Sequence, residues 1–241
     1  MTTIAFDARM MSAQMKQFGT ANSPFLLGGR QGFETLANRL DVAIAAKADT
    51  FRWGTKVGGE DQPITTIKSR NWKGEGGHHP IQARFSFGWE CRRPERDSNR
   101  LLVRDGATEI TFIAANADEG ALSTCFHLDL CAGGNEAGSG HPMFHSQFIG
   151  GIPDIPRLPS FLIHPLDAME WALMDCFQEL WRIHRREAKT RSALGKHATA
   201  QHRRVASTLN HWRQRVDAGR AYPLLAFQTT IVTPLDLDVA S

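Results

Sequence analysis

Two segments of the chain alternate apolar and polar residues at every second position, and this alternation limits the possible folds more than any other feature. The segment from Gln82 to Glu90 places Phe85, Phe87 and Trp89 on one face, and the segment from Leu122 to Cys131 alternates in the same way. Successive side chains of a β-strand point to opposite faces of the sheet. The pattern therefore predicts antiparallel strands with one buried face and one polar face.

Further strands are predicted between and after these two segments. Leu101 to Arg104 and Thr108 to Ala114 are separated by Asp105-Gly106, a pair that is typical of tight β-hairpin turns. His141 to Ile149 follows a Gly-rich loop. We therefore expect an antiparallel β-meander of about four to five strands.

Helical spacing of apolar residues predicts helices on both sides of this meander. The N-terminal helices are expected at Asp7–Phe18 and Gly32–Ala46, and two C-terminal amphipathic helices at Leu166–Arg186 and near Ala198–Ala218. The fold class is therefore α+β, with an N-terminal helical segment (1–52), a sheet region with a proline-rich connector (53–160) and a basic helical region (161–241), together forming one compact domain. Residues 53–80 show no clear periodicity, and a final strand is expected at Leu224–Val232.

The apolar stripes of the two C-terminal helices predict which residues pack inward. On the first helix the stripe consists of Leu166, Met169, Leu173, Phe177, Leu180 and His184. On the second helix it consists of Val205, Leu209, Trp212 and Val216.

Composition favours a cytoplasmic protein that is not inserted in a membrane. No segment approaches the run of about 20 apolar residues that a membrane-spanning helix needs, and Asp7 and Arg9 interrupt any N-terminal signal region. The four cysteines include no Cys-x-x-Cys pair and are too few for a disulfide framework. We therefore expect reduced thiols, with Cys176 as a small core residue.

Positive charge is concentrated near the C-terminus. Residues 178–220 contain eleven Lys or Arg against three acidic residues, while the rest of the chain is net negative. Helices with an exposed basic face can follow a phosphate backbone, although a solvated surface or an acidic protein partner explains the pattern equally well. The candidate nucleic-acid-binding residues are Arg182, Arg185, Arg186, Lys189, Arg191, Arg203, Arg204 and Arg213.

A second candidate site lies on the polar face of the predicted hairpin from Leu122 to Ile149. Phe126 and Phe144 must share the buried face, which fixes the parity of the strand pairing. With the loop centred near Glu136, the opposite face gathers the candidate metal ligands His127, Asp129, His141 and His145. Imidazole and carboxylate groups suit a divalent metal, and His127, Asp129 and His145 are also the candidate catalytic residues. The alternative is a polar sheet face without chemistry.

The order of elements resembles that of ubiquitin-conjugating-type domains. A helix, a four-strand meander, the His141-Pro142 pair, a proline-rich connector and two helices follow one another between Gln31 and Ala218. In that family a catalytic cysteine follows the His-Pro pair, whereas residues 143–159 contain no cysteine. The resemblance therefore implies an interaction domain without conjugating activity.

These observations lead to three functional hypotheses. The first is an accessory, non-enzymatic cytoplasmic protein of bacterial type that binds nucleic acid or an acidic protein partner through its basic C-terminal helices, as part of a complex. The second is a metal-dependent hydrolase, such as a nuclease, that uses the His/Asp cluster. The third is the inactive ubiquitin-conjugating-like interaction domain.

Overall fold

The computed structural model describes residues 4–57, 59–70, 72–74, 77–94, 99–114, 123–131, 144–149, 158–159 and 164–217. These residues form an α+β fold, which confirms the predicted fold class. The helices in them are α1 (Ala8–Asn22), α2 (Gln31–Ala45), α3 (Pro165–Arg186) and α4 (Ala188–Asp217), with a short 3-10 helix at Ser23–Phe25. None of these helices combines the length and apolarity needed to cross a membrane.

The described strands form one large antiparallel sheet and two small ones. They are β1 (Ile4–Asp7), β2 (Thr50–Gly54), β3 (Lys56–Val57), β4 (Glu60–Asp61), β5 (Ile64–Thr65), β6 (Trp72–Gly74), β7 (Gly77–His79), β8 (Ile81–Arg92), β9 (Arg100–Ala114), β10 (Ser123–Cys131), β11 (Phe144–Ile149) and β12 (Leu158–Pro159). The large sheet has the order β12-β11-β10-β9-β8-β2, with β1 beside β9 and β5 beside β8. It has more strands than predicted, because short strands join it from three other parts of the chain: β1 near the N-terminus, β2 and β5 between α2 and β8, and β12 in the connector.

The face of β8 that the alternation predicted to be buried is the floor of the core. Phe85, Phe87 and Trp89 are at most 1% exposed, and the Trp53 ring packs edge-on against both Phe87 and Trp89. Trp53 donates from Nε1 to the Leu36 carbonyl at 3.0 Å, so its polar group is also satisfied. The helices cover this face of the sheet.

The predicted hairpin turn at Asp105-Gly106 is wrong, because both residues lie inside the continuous strand β9. Gly106 pairs with Trp89 on one side and with Leu130 on the other. A Cβ atom at Gly106 would lie 2.4 Å from Cδ1 of Trp89. The glycine is therefore required by the close approach of the Trp89 ring and not by a turn.

The two N-terminal helices form close to their predicted positions and pack tightly against each other. Asp7 begins α1, since its Oδ1 accepts a hydrogen bond from the Met10 amide at 2.8 Å. Gly19 allows α2 to approach, because a Cβ there would lie 2.5 Å from Cβ of Phe33. The Phe18 and Phe33 rings then meet with their centroids 5.3 Å apart.

Helix α3 is sharply bent at Gln178, where φ is 45° and ψ is −115°. Arg185 lies 2.8 Å from Glu170, although fifteen residues of straight helix would separate them by about 22 Å. The bend lies inside the predicted apolar stripe and changes which residues after it face the core. Phe177, before the bend, is buried, whereas Leu180, after the bend, is 51% exposed. The expectation that Leu180 packs inward is therefore wrong.

Helix α4 begins at Ala188 instead of near Ala198. Gly195 is a weak helix former, but it lies inside the helix next to Leu194, which is fully buried in the core. The predicted strand at Leu224–Val232 lies outside the described residues. Of the proline-rich connector, Leu158 and Pro159 are described, and they pair with β11 at the edge of the sheet.

Candidate nucleic-acid interface

The basic helix α4 is held against α3 by a buried ion pair. Arg204 donates from Nε to Oδ2 of Asp167 at 2.9 Å and from Nη2 to Oδ1. Both side chains are almost fully enclosed, with 4% of Arg204 and 5% of Asp167 exposed. This is the two-pronged geometry in which arginine binds carboxylate most strongly. The pair therefore ties the middle of α4 to the first turn of α3.

A second carboxylate, Glu170, lies one turn further along α3 and binds three partners. Its Oε2 accepts from Nε2 of Gln201 at 2.8 Å and lies 3.1 Å from Nε2 of His197, while Oε1 lies 2.8 Å from Nη2 of Arg185. Burial raises the pKa of Glu170, but the hydrogen bond to His197 and the nearby charges outweigh it, so the pKa lies below its usual value. Glu170 therefore stays in its ionised carboxylate form although it is buried.

His164 is the N-terminal cap of α3 and lies near Arg204 and His197 of this polar network. Its Nδ1 accepts a hydrogen bond from the Leu166 amide at 3.2 Å, and the side chain packs edge-on against Trp89. Burial, followed by the charges of Arg204 and His197, lowers the pKa of His164 well below its usual value. The imidazole is therefore neutral near pH 7, which keeps Nδ1 available as the helix cap.

The buried face of α4 is consequently polar, and the predicted apolar stripe is not its inward face. Val205 is 38% exposed and Leu209 is 52% exposed, and the side chains of Trp212 and Val216 lie outside those described. The inward positions recur at helical spacing and are Thr190, Leu194, His197, Gln201 and Arg204. Sequence reasoning missed this network. The available signal was the match between two acidic residues on α3, Asp167 and Glu170, and cationic or imidazole groups spaced along α4.

Two of the predicted nucleic-acid-binding residues are therefore engaged inside the protein. Arg204 is buried with Asp167, so the expectation that it lies on an exposed surface is wrong. The Arg185 side chain is 21% exposed, pairs with Glu170 and lies 5.5 Å from the centroid of the Trp181 ring. These contacts direct its guanidinium back along its own helix, towards the first half of α3.

The other six predicted residues are exposed. Arg182 pairs with Glu179 on its own helix and lowers the pKa of that carboxyl group, and Arg213 lies 3.5 Å from Asp217 one turn away. The remaining four form no ion pair with the described residues; they are Arg186, Lys189, Arg191 and Arg203.

Three exposed cations of α4 are aligned along the helix. Lys189, Lys196 and Arg203 recur at every seventh residue, and all three are exposed. Seven residues span about 10 Å along an α-helix and return to nearly the same side. We call these three residues the basic ridge. Asp217 is the single acidic residue in α4, and it lies at the C-terminal end.

The predicted parity of the β10–β11 hairpin is confirmed, but the predicted register is wrong by two residues. Phe126 pairs with Phe148, so His127 lies opposite Gln147 and Asp129 lies opposite His145. The connection is centred one residue later than expected, which moves each partner by two positions. His141 lies outside the described residues, and the side chains of Asp129 and His145 are not described.

The polar face of the sheet also contains a carboxylate that the sequence analysis did not select. Glu109 lies directly opposite His127 on β9, with 3.6 Å between its Oε1 and Nε2 of His127. Its Oε2 accepts from Nζ of Lys56 at 2.6 Å. Among the side chains that the structure describes, no three His, Cys, Asp or Glu residues are grouped to hold a metal ion. Whether the predicted ligands bind a metal stays a prediction.

The described cysteines are free thiols with little tendency to ionise. Cys176 is fully buried, as predicted, and burial raises its pKa to about 12. Burial also raises the pKa of Cys91 and of Cys125. Thiolate chemistry is therefore disfavoured at these three positions.

An open groove of about 420 Å³ lies between α2 and residues 55–65. Its floor includes the buried side chains of Leu36 and Ile64. Arg39 is the charged residue of its described lining, and its guanidinium donates to the Gly54 carbonyl at 2.6 Å and to Oε1 of Gln62 at 3.0 Å. The groove combines an apolar floor with one positive group.

No protein-family model matches this chain, and neither does any curated protein or solved structure. The likeness to ubiquitin-conjugating-type domains therefore remains a resemblance in the order of elements.

Proposed function

We propose that the protein is a non-enzymatic accessory protein that binds nucleic acid through the exposed face of α4. The observation that carries this proposal is the basic ridge, in which Lys189, Lys196 and Arg203 are exposed at every seventh residue of one helix. The exposed residues Arg186 and Arg191 extend the positive surface towards the start of α4.

The surroundings of the ridge favour a polyanion as the ligand. Because α4 contains no acidic residue before Asp217, the three ridge cations have no carboxylate on their own helix within reach. Each is available to neutralise a phosphate, and this releases the counterions condensed on the nucleic acid. Contacts of this kind provide affinity without reading the base sequence.

The buried network supports the same proposal in a different way. Arg204 and Gln201 fix α4 through Asp167 and Glu170, so the ridge is presented on a helix that is already formed and docked. Binding then requires little ordering of the backbone, which lowers its entropic cost.

The test is the salt dependence of binding to a short fluorescently labelled DNA duplex and to a single-stranded RNA. Changing Lys189, Lys196 and Arg203 together to Gln should flatten the plot of log K against log salt by about 2–3 units, since each lost phosphate contact contributes roughly 0.7–0.9. Melting temperature should not change, because all three residues are exposed.

A matched control removes the same charge from the sheet. The control variant carries Arg52→Gln, Arg84→Gln and Arg104→Gln, three exposed residues on strands β2, β8 and β9. It should retain the salt slope of the unmodified protein. Equal slopes for both triple variants would exclude the ridge as the binding surface.

A second candidate function is the metal-dependent hydrolase. The backbone register that brings Asp129 opposite His145, with Glu109 beside His127, favours it. Imidazole and carboxylate groups on neighbouring strands are suitable ligands for a divalent metal. Stoichiometric metal that survives dialysis and is lost in His127→Ala would support this function; a metal-free protein would exclude it.

A further inference from the structure

A second line of basic and imidazole side chains runs along the exposed side of α4, beside the basic ridge. Arg191, His202 and Arg213 recur at every eleventh residue, and all three are exposed. Eleven residues make about three turns of an α-helix, so these side chains lie on nearly the same side. At about 100° of rotation per residue, they are roughly 80–160° around the helix axis from the basic ridge. We call these three residues the second edge.

Small side chains occupy the surface between the basic ridge and the second edge. Ser192, Gly195 and Thr199 are all exposed. Thr199 lies almost opposite the fully buried His197, since two residues correspond to about 200° of rotation. The surface between the two lines therefore points away from α1 and α3, against which α4 packs.

Gly195 is not required by the packing of the protein itself. No described atom lies within 4 Å of the position that a Cβ would take there, although glycine inside a helix is less stable than almost any other residue. At Gly19 and Gly106, by contrast, a Cβ would collide with the rings of Phe33 and Trp89. Gly195 therefore leaves room for the close approach of a group from outside the chain.

Two basic lines separated by small side chains match the two phosphate backbones that border the major groove of DNA. This groove is about 12 Å wide and admits one α-helix, whose diameter is about 10–12 Å. In the sequence of α4 the only acidic residue is Asp217, at the C-terminal end. No carboxylate of α4 therefore opposes phosphate contacts along Lys189 to Arg203.

The same surface fits other nucleic acids less well. The major groove of an RNA duplex is deep and narrow, and side chains do not reach its bases. Single strands are bound by stacking their bases on aromatic rings, and the described exposed side chains of α4 include no Phe, Tyr or Trp. The charges and the small side chains together favour double-stranded DNA.

We propose that α4 enters the major groove of double-stranded DNA, with the basic ridge on one phosphate backbone and the second edge on the other. Ser192, Gly195 and Thr199 then face the edges of the bases. Phosphate contacts on both sides fix the orientation of the helix in the groove. This inference rests on the proposed function and names the ligand class of the same helix.

The first test compares three fluorescently labelled ligands of one base sequence by anisotropy. They are a short DNA duplex, the corresponding RNA duplex, and the DNA duplex with a glucosylated hydroxymethyl group on C5 of its cytosines, which fills the major groove. The full chain should bind the unmodified DNA duplex at least about fivefold more tightly than either of the other two, the smallest effect expected from losing one base contact.

The second test changes Gly195. Gly195→Gln should weaken binding of the DNA duplex by about five- to tenfold, because the new side chain projects into space that the groove would occupy, and should leave binding of single-stranded DNA unchanged. Its melting temperature should equal or exceed that of the unmodified protein, since Gln favours the helix more than Gly does. Gly28→Gln is the matched control, because a Cβ at Gly28 also meets no described atom within 4 Å. It should bind the duplex as the unmodified protein does.

The third test addresses the second edge. Arg191 forms no ion pair with the described residues and is exposed. Arg191→Gln should flatten the plot of log K against log salt for the DNA duplex by about 0.9, the contribution of one phosphate contact. Arg52→Gln on β2 removes the same charge from the sheet and should leave this slope unchanged.

Four results would overturn the proposal. They are equal affinity for the DNA and RNA duplexes, equal affinity for plain and C5-substituted DNA, undiminished duplex binding by Gly195→Gln, and an unchanged salt slope in Arg191→Gln. If the triple variant of the basic ridge still loses its salt slope in these cases, the proposed function stands and only the groove assignment fails. Absence of binding to every nucleic acid would refute both.

Discussion

Replacing Arg204 should destabilise the protein far more than replacing Arg203, although the two arginines are adjacent in the sequence. Arg204 is buried and binds both carboxylate oxygens of Asp167, whereas Arg203 is exposed on the basic ridge. In Arg204→Met the carboxylate of Asp167 stays buried without its cation. Arg203→Met removes the same charge from a solvated position.

The magnitude follows from the burial of the pair. With only 4% and 5% of the two side chains exposed, water cannot replace the lost guanidinium. Breaking such a pair costs about 3–5 kcal/mol, which for a chain of this size lowers the melting temperature by about 6–20 °C. Arg203→Met should stay within about 0.5 kcal/mol of the unmodified protein. Urea unfolding followed by far-ultraviolet circular dichroism measures both free energies.

The double variant Asp167→Leu with Arg204→Met separates the ion pair from simple loss of packing. With both charges removed, no unpaired ion stays buried, so the double variant should be more stable than Arg204→Met alone. Equal stability of Arg203→Met and Arg204→Met would refute the reasoning. The reasoning would also be refuted if the double variant lost as much stability as Asp167→Leu and Arg204→Met lose separately, added together.

Two further predictions concern the core and its pH dependence. Gly106→Ala should lower the free energy of unfolding by about 1–3 kcal/mol, because the new Cβ would lie 2.4 Å from the buried Trp89 ring. In the same urea titration Gly88→Ala should be neutral or slightly stabilising, because the nearest contact of its Cβ is at 3.7 Å. The pKa of His164 is lower in the folded protein than in the unfolded chain. Its contribution to stability is therefore complete above about pH 6.5. As the pH falls from there towards the folded pKa, the free energy of unfolding decreases by about 1.4 kcal/mol per pH unit. His164→Asn keeps an acceptor for the Leu166 amide and should flatten the pH dependence of unfolding between pH 5 and 6.5 by about one proton; an unchanged slope would contradict this assignment.

The features that sequence predicted well are those decided by burial of a single face. Phe85, Phe87 and Trp89 share one face of β8, and all three are buried. A one-residue slip would expose all of them at once, so this face is strongly specified. Burial of one face also determines the parity of Phe126 against Phe148, but it does not determine the register. A shift of two residues keeps every side chain on its face, and only the geometry of the connection selects between the two registers.

Two errors arose where a local signal competed with long-range contacts. Asp105-Gly106 has strong turn propensity, yet pairing with β8 and β10 on both sides extends the strand through it. On α4, hydrophobic periodicity selected Val205 and Leu209 as the inward face, although the inward face is polar. Periodicity counts apolar side chains and cannot recognise an arginine whose carboxylate partner lies 37 residues away along the chain.

The polar character of that inward face has a consequence for how α4 presents the basic ridge. An apolar contact between helices tolerates sliding and rotation, because one methyl group replaces another at small cost. The contact of Arg204 with Asp167 does not, since a slip by one helical turn would leave a buried guanidinium and a buried carboxylate without partners. The hydrogen bond from Gln201 to Glu170 adds a second fixed point one turn away. We infer that these paired contacts set the rotation of α4, and thereby hold the basic ridge on the exposed side of the helix.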